Sequence, residues 1–430
     1  MGIKMTPIEI IRLVLTILNI IISVLFVLCY AYQYVYAFIA LVFKPKPHKP
    51  AVLHNFAVLV CARNEEAVIG NLIESLRQQD YPAELTRIFV LADNCTDGTA
   101  EVARTLGVEV YERKDSTEVG KGYALNYLLS KLDEDYGKDA FDAYIVFDAD
   151  NLVDKNFITE INKTYSDGYE VVTSYRNTKN YGANWISAGY GLWFLRDTRL
   201  LNQARQILGT CAVVCGTGFL FSRKIKEKNG GWPFHFLTED TQFTAASATS
   251  GEIFGYANDA HVYDEQPTKF SQSWWQRLRW AKGGMQVFKR HGGALFGGIF
   301  SKKFATCYDL AMSIAPAFFL SIAAVVVNVV GILVSLIMGD VMSALMMAGG
   351  LFVGCYALVF LFGVITTVSE WRHIKARAYK KILYLFTFPI FMFTYIPIAI
   401  TAIFSRVEWR QIEHTSTERL SDLEGMSKKS

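Results

Sequence analysis

Nothing in this 430-residue chain points to a disulfide scaffold or a structural zinc site: its seven cysteines are scattered, and none forms a Cys-x-x-Cys pair. Cys211 and Cys215 come nearest, four residues apart, with too few partner ligands beside them to hold a metal. Excess charge is missing too. Lys and Arg total 43 against 40 Asp and Glu, a net charge of +3, which excludes general affinity for nucleic acid. There is no internal repeat and no low-complexity linker, which argues against solenoids and disordered tethers. All eight tryptophans lie beyond residue 184. Four long stretches carry no charge at all: residues 13–43, 310–339, 341–369 and 382–405. At ~1.5 Å per helical residue, each is long enough to cross a hydrocarbon core of ~30 Å. The first is too long for a signal-peptide core and lacks a small-x-small cleavage end, so one long tilted span is expected there.

What is present fits between these runs. At 52% hydrophobic and 19% charged, the chain is too apolar for an ordinary soluble protein and too polar for spans alone. One polar domain carried on several spans is expected. The basic clusters KPKPHKP at 44–50 and EWRHIKARAYKK at 370–381 mark cytoplasmic ends of spans. They predict a multi-pass plasma-membrane protein with residues 44–303 in the cytoplasm. A single crossing by 382–405 would put Arg406 and Arg410 outside, which suits them poorly, whereas Pro389 and Pro397 offer a break into a returning hairpin. The parity stays open on sequence grounds.

Residues 44–180 read as alternating strands and helices. Strands are expected at 56–63, 87–94, 108–113 and 143–150, with helices at 65–79, 99–106 and from Gly122 to about Leu132. Such alternation predicts a parallel-rich α/β sheet, whose ligands bind beyond the carboxyl ends of the strands. Asp93 and the pair Asp148/Asp150 fall at such ends. In an extended strand, positions i and i+2 share a face, so the two carboxylates of VFDAD are expected side by side as a cation site. Asp97 reads as a helix cap. Residues 180–300 are rich in Trp and in amphipathic segments. There Gln276, Arg279 and Trp280 share a helical face at i, i+3 and i+4, with an arginine fork for phosphate and a flat ring for a sugar. Trp274, Trp275 and Arg277 in the same stretch read as membrane-interface side chains.

The order LADNCTD (91–97), VFDAD (146–150), LTED (237–240) and QRLRW (276–280) resembles glycosyltransferase family 2, in its processive membrane-synthase branch of cellulose, chitin and hyaluronan synthases. The resemblance covers roughly 50–290 by motif. It implies an α/β GT-A (Rossmann-like) cytosolic domain inserted between transmembrane α-helices. Residues 1–43 are then an N-terminal transmembrane segment, 44–260 the GT-A domain and 261–303 an interface region with the QxxRW motif. Residues 304–405 form a C-terminal transmembrane region and 406–430 a tail. The resemblance further implies a UDP-sugar donor, Mg2+ or Mn2+, a growing polysaccharide as acceptor, contact with membrane lipid and accessory export subunits.

Residue by residue, the resemblance makes Asp150 the direct metal ligand and Asp148 a second contact to metal, nucleotide or diphosphate. Asp93 matches the acid that meets the uracil edge. Arg63, Asn64 and Glu65 match the nucleotide-binding turn, although Cys61-Ala62 stands where many relatives carry proline. Lys121 in GKGYALN matches a lysine near the diphosphate, and Gln276 and Arg279 complete the donor side. Asp240 matches the general base that takes a proton from the attacking hydroxyl, with Glu239 as its local alternative on the acceptor side. Trp280, Gly216 and Thr217 match acceptor-lining positions. QRLRW favours repeated addition, with UDP-glucose and a linear β-glucan (1,4 or mixed 1,3/1,4) as first expectation. An N-acetylglucosamine polymer, a single transfer to a lipid phosphate and a non-catalytic nucleotide-binding transporter are the alternatives.

Overall fold

A computed structural model of the chain describes residues 6–422 apart from 315, 413, 415 and 417. An N-terminal helix, α1 (Pro7–Val42), leads into a domain with β1 (Phe56–Ala62), α2 (Ile69–Arg77), β2 (Thr86–Asp93), α3 (Thr99–Thr105), β3 (Glu109–Arg113), α4 (Lys121–Tyr136), β4 (Ala143–Asp148), β5 (Leu152–Val153), α5 (Phe157–Ser166) and β6 (Val171–Thr178). It continues through α6 (Trp185–Leu195), a π-helical stretch (Arg196–Asn202), α7 (Gln203–Leu208), β7 (Phe219–Ser222), α8 (Arg223–Asn229), α9 (Glu239–Ser250) and β8 (Gly255–Asp264). The long α10 (Phe270–Ile299) is followed by α11 (Phe304–Ile314), α12 (Pro316–Ile337), α13 (Val341–Ser369), α14 (Ala378–Phe393) and α15 (Tyr395–Phe404).

All eight strands form one sheet in the order β3-β2-β1-β4-β7-β6-β8-β5. β1 is apolar at every position because both of its faces are covered. Ala57 and Leu59 pack with Leu125, Leu128 and Leu132 of α4, while Phe56, Val58 and Val60 pack with α2 and α5. The expected parallel pairing holds for β3-β2-β1-β4. The other half is mixed: β7 runs antiparallel to β4 and β6, and β5 antiparallel to β8. The sheet also runs past the boundary expected at 260, since β8 ends only at Asp264.

Parallel register brings Cys61 opposite Asp148 and Asp93 opposite Arg113, so the ends of β1, β2 and β4 share one rim. The pair expected side by side on one strand does not form as such. β4 stops at Asp148, and the Asn151 N–H donates to the Asp148 carbonyl, turning the chain before Asp150. Strand periodicity therefore ends one residue too early to align the two carboxylates.

Among the described residues four segments are long and apolar enough to cross a membrane: Pro7–Val42, Phe319–Ile337, Val341–Ser369 and Ala378–Phe404. At one end, Arg12 of α1 pairs with Asp340 between α12 and α13 at 2.8 Å. At the other, Arg199 donates both to the Ala40 carbonyl and to Glu370, bringing the ends of α1 and α13 together beside the sheet. A buried pair, Arg205–Asp309 at 2.6 Å, joined by the Tyr32 hydroxyl, ties α7 to α11 and α1. Losing one partner of such a pair costs roughly 3–5 kcal/mol.

The last apolar segment behaves differently. α14 and α15 are separated only by Thr394, whose φ −63° and ψ −14° are helical, so the chain runs on without reversing into the hairpin considered above. Pro397 lacks the N–H that would reach the Phe393 carbonyl, which interrupts the hydrogen-bond ladder there. Both ends of this segment stay against the sheet domain. Lys380 Nζ donates to the Gly182 carbonyl at 2.5 Å, and beyond α15 the Arg410 guanidinium lies 4.1 Å from the Trp275 ring centre.

Candidate active site

The site is built at the sheet rim. Asp93 ends β2 with one carboxylate oxygen held by Arg113 at 3.0 Å and by Asn94 at 3.1 Å. Burial raises its pKa and the guanidinium opposes the rise. Asp148 ends β4 and pairs with Lys121, the first residue of α4, whose Nζ also donates to the Gly216 carbonyl at 2.7 Å. Gly216 takes φ +80°, and a Cβ there would stand 3.5 Å from Asp240 Oδ2, so this turn brings the β7 approach against the acid of LTED.

Glu239 and Asp240 open α9, where the helix dipole favours their charged forms. Burial outweighs it and raises the pKa of both; the Asp240 charge adds to the rise at Glu239, while the Thr241 N–H opposes the rise at Asp240 and Lys121 and Arg279 oppose it at both. α10 is seated on the start of α9 by Gly283, where a Cβ would come within 2.5 Å of Thr238 Oγ1. That close approach delivers QRLRW. Arg279 donates to the Leu237 carbonyl at 2.8 Å, and Trp280 meets the rings of Tyr190 and Phe194 edge-on at 5.7 and 6.0 Å.

One cavity of about 1810 Å³ joins these groups. Arg63, Glu65, Asp93, Lys121, Asp148 and Asp150 line its rim end, followed by Gly216, Glu239, Asp240, Gln276, Arg279 and Trp280. It then continues between α1, α12, α13 and α15 past Phe26, Val325, Phe352 and Ile396. Of the expected positions, Asn64 and Thr217 are not on the wall: Asn64 accepts from the Thr96 N–H at 2.7 Å beside the turn after β1. Thr217 is the more telling case. It is 1% exposed, donates to Asn151 and accepts from the Asp148 N–H at 2.9 Å, so it braces the turn at Asp148–Asp150 instead of facing an acceptor. Arg277 is likewise internal, bonded to the Phe391 carbonyl and Thr394, in place of the expected interface position. The α3 N-cap is Gly98, not Asp97; Asp97 lies one residue before it and accepts from the Thr99 and Glu66 N–H groups, holding the start of the helix to the turn after β1.

Three residues escaped the sequence reading because they come after the last apolar run. Trp409 stacks over Arg63 at 4.9 Å, Gln411 Nε2 donates to the Arg63 carbonyl at 2.8 Å, and His414 Nδ1 lies 3.0 Å from Glu65. Burial alone would lower the His414 pKa, but Asp150 and Glu65 push it up to about 10. The unexplained positive charge of Arg406 and Arg410 was the signal that this tail stays beside the domain. Arg113, the partner of Asp93, left no comparable signal.

The donor set suits a hard divalent cation. Asp150 is 5% exposed, with Oδ2 held by the Glu265 N–H at 2.8 Å, and Asp148 and His414 flank it. Among the described residues no three His, Cys, Asp or Glu side chains already converge on one point, so a cation here would share its sphere with substrate oxygens.

A profile of glycosyltransferase-like family 2 matches residues 54–283, more than half the chain. A beta-monoglucosyldiacylglycerol synthase from Synechocystis sp. is 28% identical over 237 residues, 54% of this chain and 48% of that protein. The probable glycosyltransferase YdaM of Bacillus subtilis is 26% identical over 263 residues, 55% of this chain and 56% of its own length. The chain thus spans about half the length of the curated relatives it matches. Among solved structures, the mannosyltransferase PcManGT from Pyrobaculum calidifontis, in complex with GDP-Man and Mn2+, superposes with a TM-score of 0.60 at 16% identity, over 90% of this chain and 99% of that one. The likeness is one of fold: a GT-A, Rossmann-like domain with a mixed sheet.

Proposed function

The chain belongs to glycosyltransferase-like family 2, and from that premise we propose that it transfers a sugar, with inversion, from a nucleoside-diphosphate sugar to a hydroxyl carried by a membrane lipid. One continuous cavity carries this reading: it joins the rim acids to the Glu239–Asp240 pair and runs on between the apolar helices. The acceptor oxygen attacks the anomeric carbon, the bond to the diphosphate breaks, and Asp240 takes the hydroxyl proton. Lys121 and Arg279 face the departing diphosphate and offset its charge. A divalent cation bound beside Asp150 would supply further Lewis-acid stabilisation of that leaving group.

The far part of the cavity favours a neutral lipid alcohol over a lipid phosphate. Three arginines at its junction with the helices already carry carboxylate partners: Arg176 with Asp264, Arg196 with Asp197 and Arg205 with Asp309. Lys289 on the same wall carries no carboxylate partner among the described residues, so the preference for a neutral alcohol rests on the three paired arginines. Glucose is the first sugar to test, since the Synechocystis relative is named a monoglucosyl-lipid synthase. Under this reading residues 44–303 and the tail lie in the cytoplasm, with α14–α15 resting along the domain and α1, α12 and α13 crossing.

A second reading, processive synthesis and export of a β-glucan from UDP-glucose, is favoured by two features. Trp280 lines the same cavity as Asp240 and offers a flat ring to a sugar. A polar seam of Asn19, Ser23 and Gln33 on α1 and Asn328 on α12 lines the cavity, with Asn328 Nδ2 on Asn19 Oδ1 at 2.9 Å. Each sugar hydroxyl left unpaired in hydrocarbon costs roughly 2–7 kcal/mol, so a glycan needs such a seam. The test is full-length protein in diacylglycerol-containing bilayers with a panel of labelled UDP- and GDP-sugars. Label in an organic-soluble, β-glucosidase-sensitive product is expected, lost in EDTA and restored by Mg2+ or Mn2+. Label in an insoluble β-glucanase-sensitive product would replace the first reading with the second, and transfer from no donor would end both.

A further inference from the structure

Arg113 closes β3, faces Asp93 across the parallel register, and is 6% exposed. Both terminal nitrogens of its guanidinium are engaged. Nη1 donates to Asp93 Oδ1 at 3.0 Å and to the Glu118 carbonyl at 2.9 Å; Nη2 donates to Asp115 Oδ2 at 3.0 Å and to Glu118 Oε2 at 3.3 Å. The loop from Asp115 to Glu118 is wound tightly around it, because Asp115 Oδ1 accepts from the Thr117 and Glu118 N–H groups. Asn94, held at φ +55°, adds a second donor to Asp93 Oδ1 at 3.1 Å and receives the Asp115 N–H on its own side-chain oxygen at 2.8 Å. Both donors go to the same oxygen. Among the described residues no protein group donates to Asp93 Oδ2, and Asp93 lies on the cavity wall.

We propose that Arg113 is a positioning residue that sets nucleobase choice: it turns Asp93 so that a single acceptor oxygen faces the donor cavity, selecting a base that presents one N–H between two carbonyls. Uracil offers that edge at N3. Cytosine and adenine place a lone pair there, which a carboxylate repels. Guanine presents two adjacent N–H groups and would use both carboxylate oxygens in a forked contact, but Arg113 and Asn94 already occupy one of them. The choice of UDP over GDP and CDP thus follows from a residue outside the cavity wall that touches no substrate.

The inference rests on reading the rim as a donor site, and one binding experiment separates the two. Full-length protein in detergent with Mn2+ is titrated with UDP, CDP, GDP and inorganic pyrophosphate. Wild type is expected to favour UDP over CDP by at least about tenfold, the worth of one charge-assisted hydrogen bond. In Arg113→Met the UDP/CDP ratio is expected to fall towards one, because an untethered, buried Asp93 takes up a proton and can donate to cytosine N3, while pyrophosphate binding stays within twofold. Should Arg113→Met not accumulate as folded protein, Arg113→Gln is measured by the same criterion. An unchanged UDP/CDP ratio overturns the proposal. So does equal weakening of all four probes, which would mean a structural role only. Wild-type protein that binds no nucleoside diphosphate overturns the donor-site reading itself, and this inference with it.

Discussion

The two ends of the cavity are made in opposite ways. At the rim, side chains meet because strands end side by side: Arg63, Asp93 and Asp148 follow three neighbouring parallel strands, and short loops complete the set. Polar groups there hold one another in dense networks, as Arg113 does with Asp93, Asp115 and Glu118. Between the helices, the walls come from α1, α12, α13 and α15, elements up to about 370 residues apart in the chain, and the contacts are mostly apolar. Under the proposed function the first end takes the nucleotide sugar and the second takes the acceptor. Family membership therefore speaks firmly about the first and weakly about the second.

The largest effect should come from the residue between the two ends. Asp240→Asn keeps the shape of the first turn of α9 but cannot take the hydroxyl proton. Turnover should fall by roughly 10³-fold, within the range for a lost general base, while UDP affinity stays within twofold. Parallel loss of both quantities, measured by initial rates and by titration, would place Asp240 on the rim side of the comparison and remove it as base.

A smaller effect is expected from Trp280→Ala. The ring stands edge-on to Tyr190 and Phe194 and carries no hydrogen bond to the donor groups among the described residues. Transfer to acceptor should drop about 10- to 100-fold through lost packing against the sugar or headgroup, with hydrolysis of the donor by water nearly unchanged. If both rates fell together, the boundary between the two ends would have to move beyond α10.

The same contrast explains what was legible in the sequence. Strand-to-motif junctions are local: an apolar run followed by an acid predicts a strand ending in that acid, and Asp93 and Asp148 sit where the pattern put them. The pattern went wrong where tertiary contacts decide. A turn after Asp148 cannot be read from VFDAD, because Thr217 and Asn151 stabilise it from 66 residues apart. The antiparallel pairings around β7 arise for a similar reason: β7 is four residues long, and its partners β4 and β6 lie on either side of it in space. The tail defeated the reading most fully. Its Trp409, Gln411 and His414 reach the turn after β1 across nearly 350 residues, a distance over which no periodicity operates. α14–α15 has the length and apolarity of a span, yet both of its ends rest on the domain, and composition alone cannot distinguish a crossing helix from one lying along a surface.

The smallest predicted effect sharpens the boundary itself. Glu239 and Asp240 are neighbours on a buried turn, and burial is the main reason each holds its proton more tightly than usual. The direction fixes the pH window. A base with a raised pKa is lost as pH falls, and lost earlier than an ordinary carboxylate near pH 4, so kcat/KM should decline on an acid limb lying above that range. The Asp240 charge adds to burial in raising Glu239, so Glu239 is the acid of the pair that holds its proton longer. Glu239→Gln removes that acid, leaves Asp240 in place, and should leave both the limb and the plateau nearly unchanged. The comparison separates the two acids by function: a limb that moves clearly to lower pH means that Glu239 titrates in it, and a limb that disappears with the activity makes Glu239 the base.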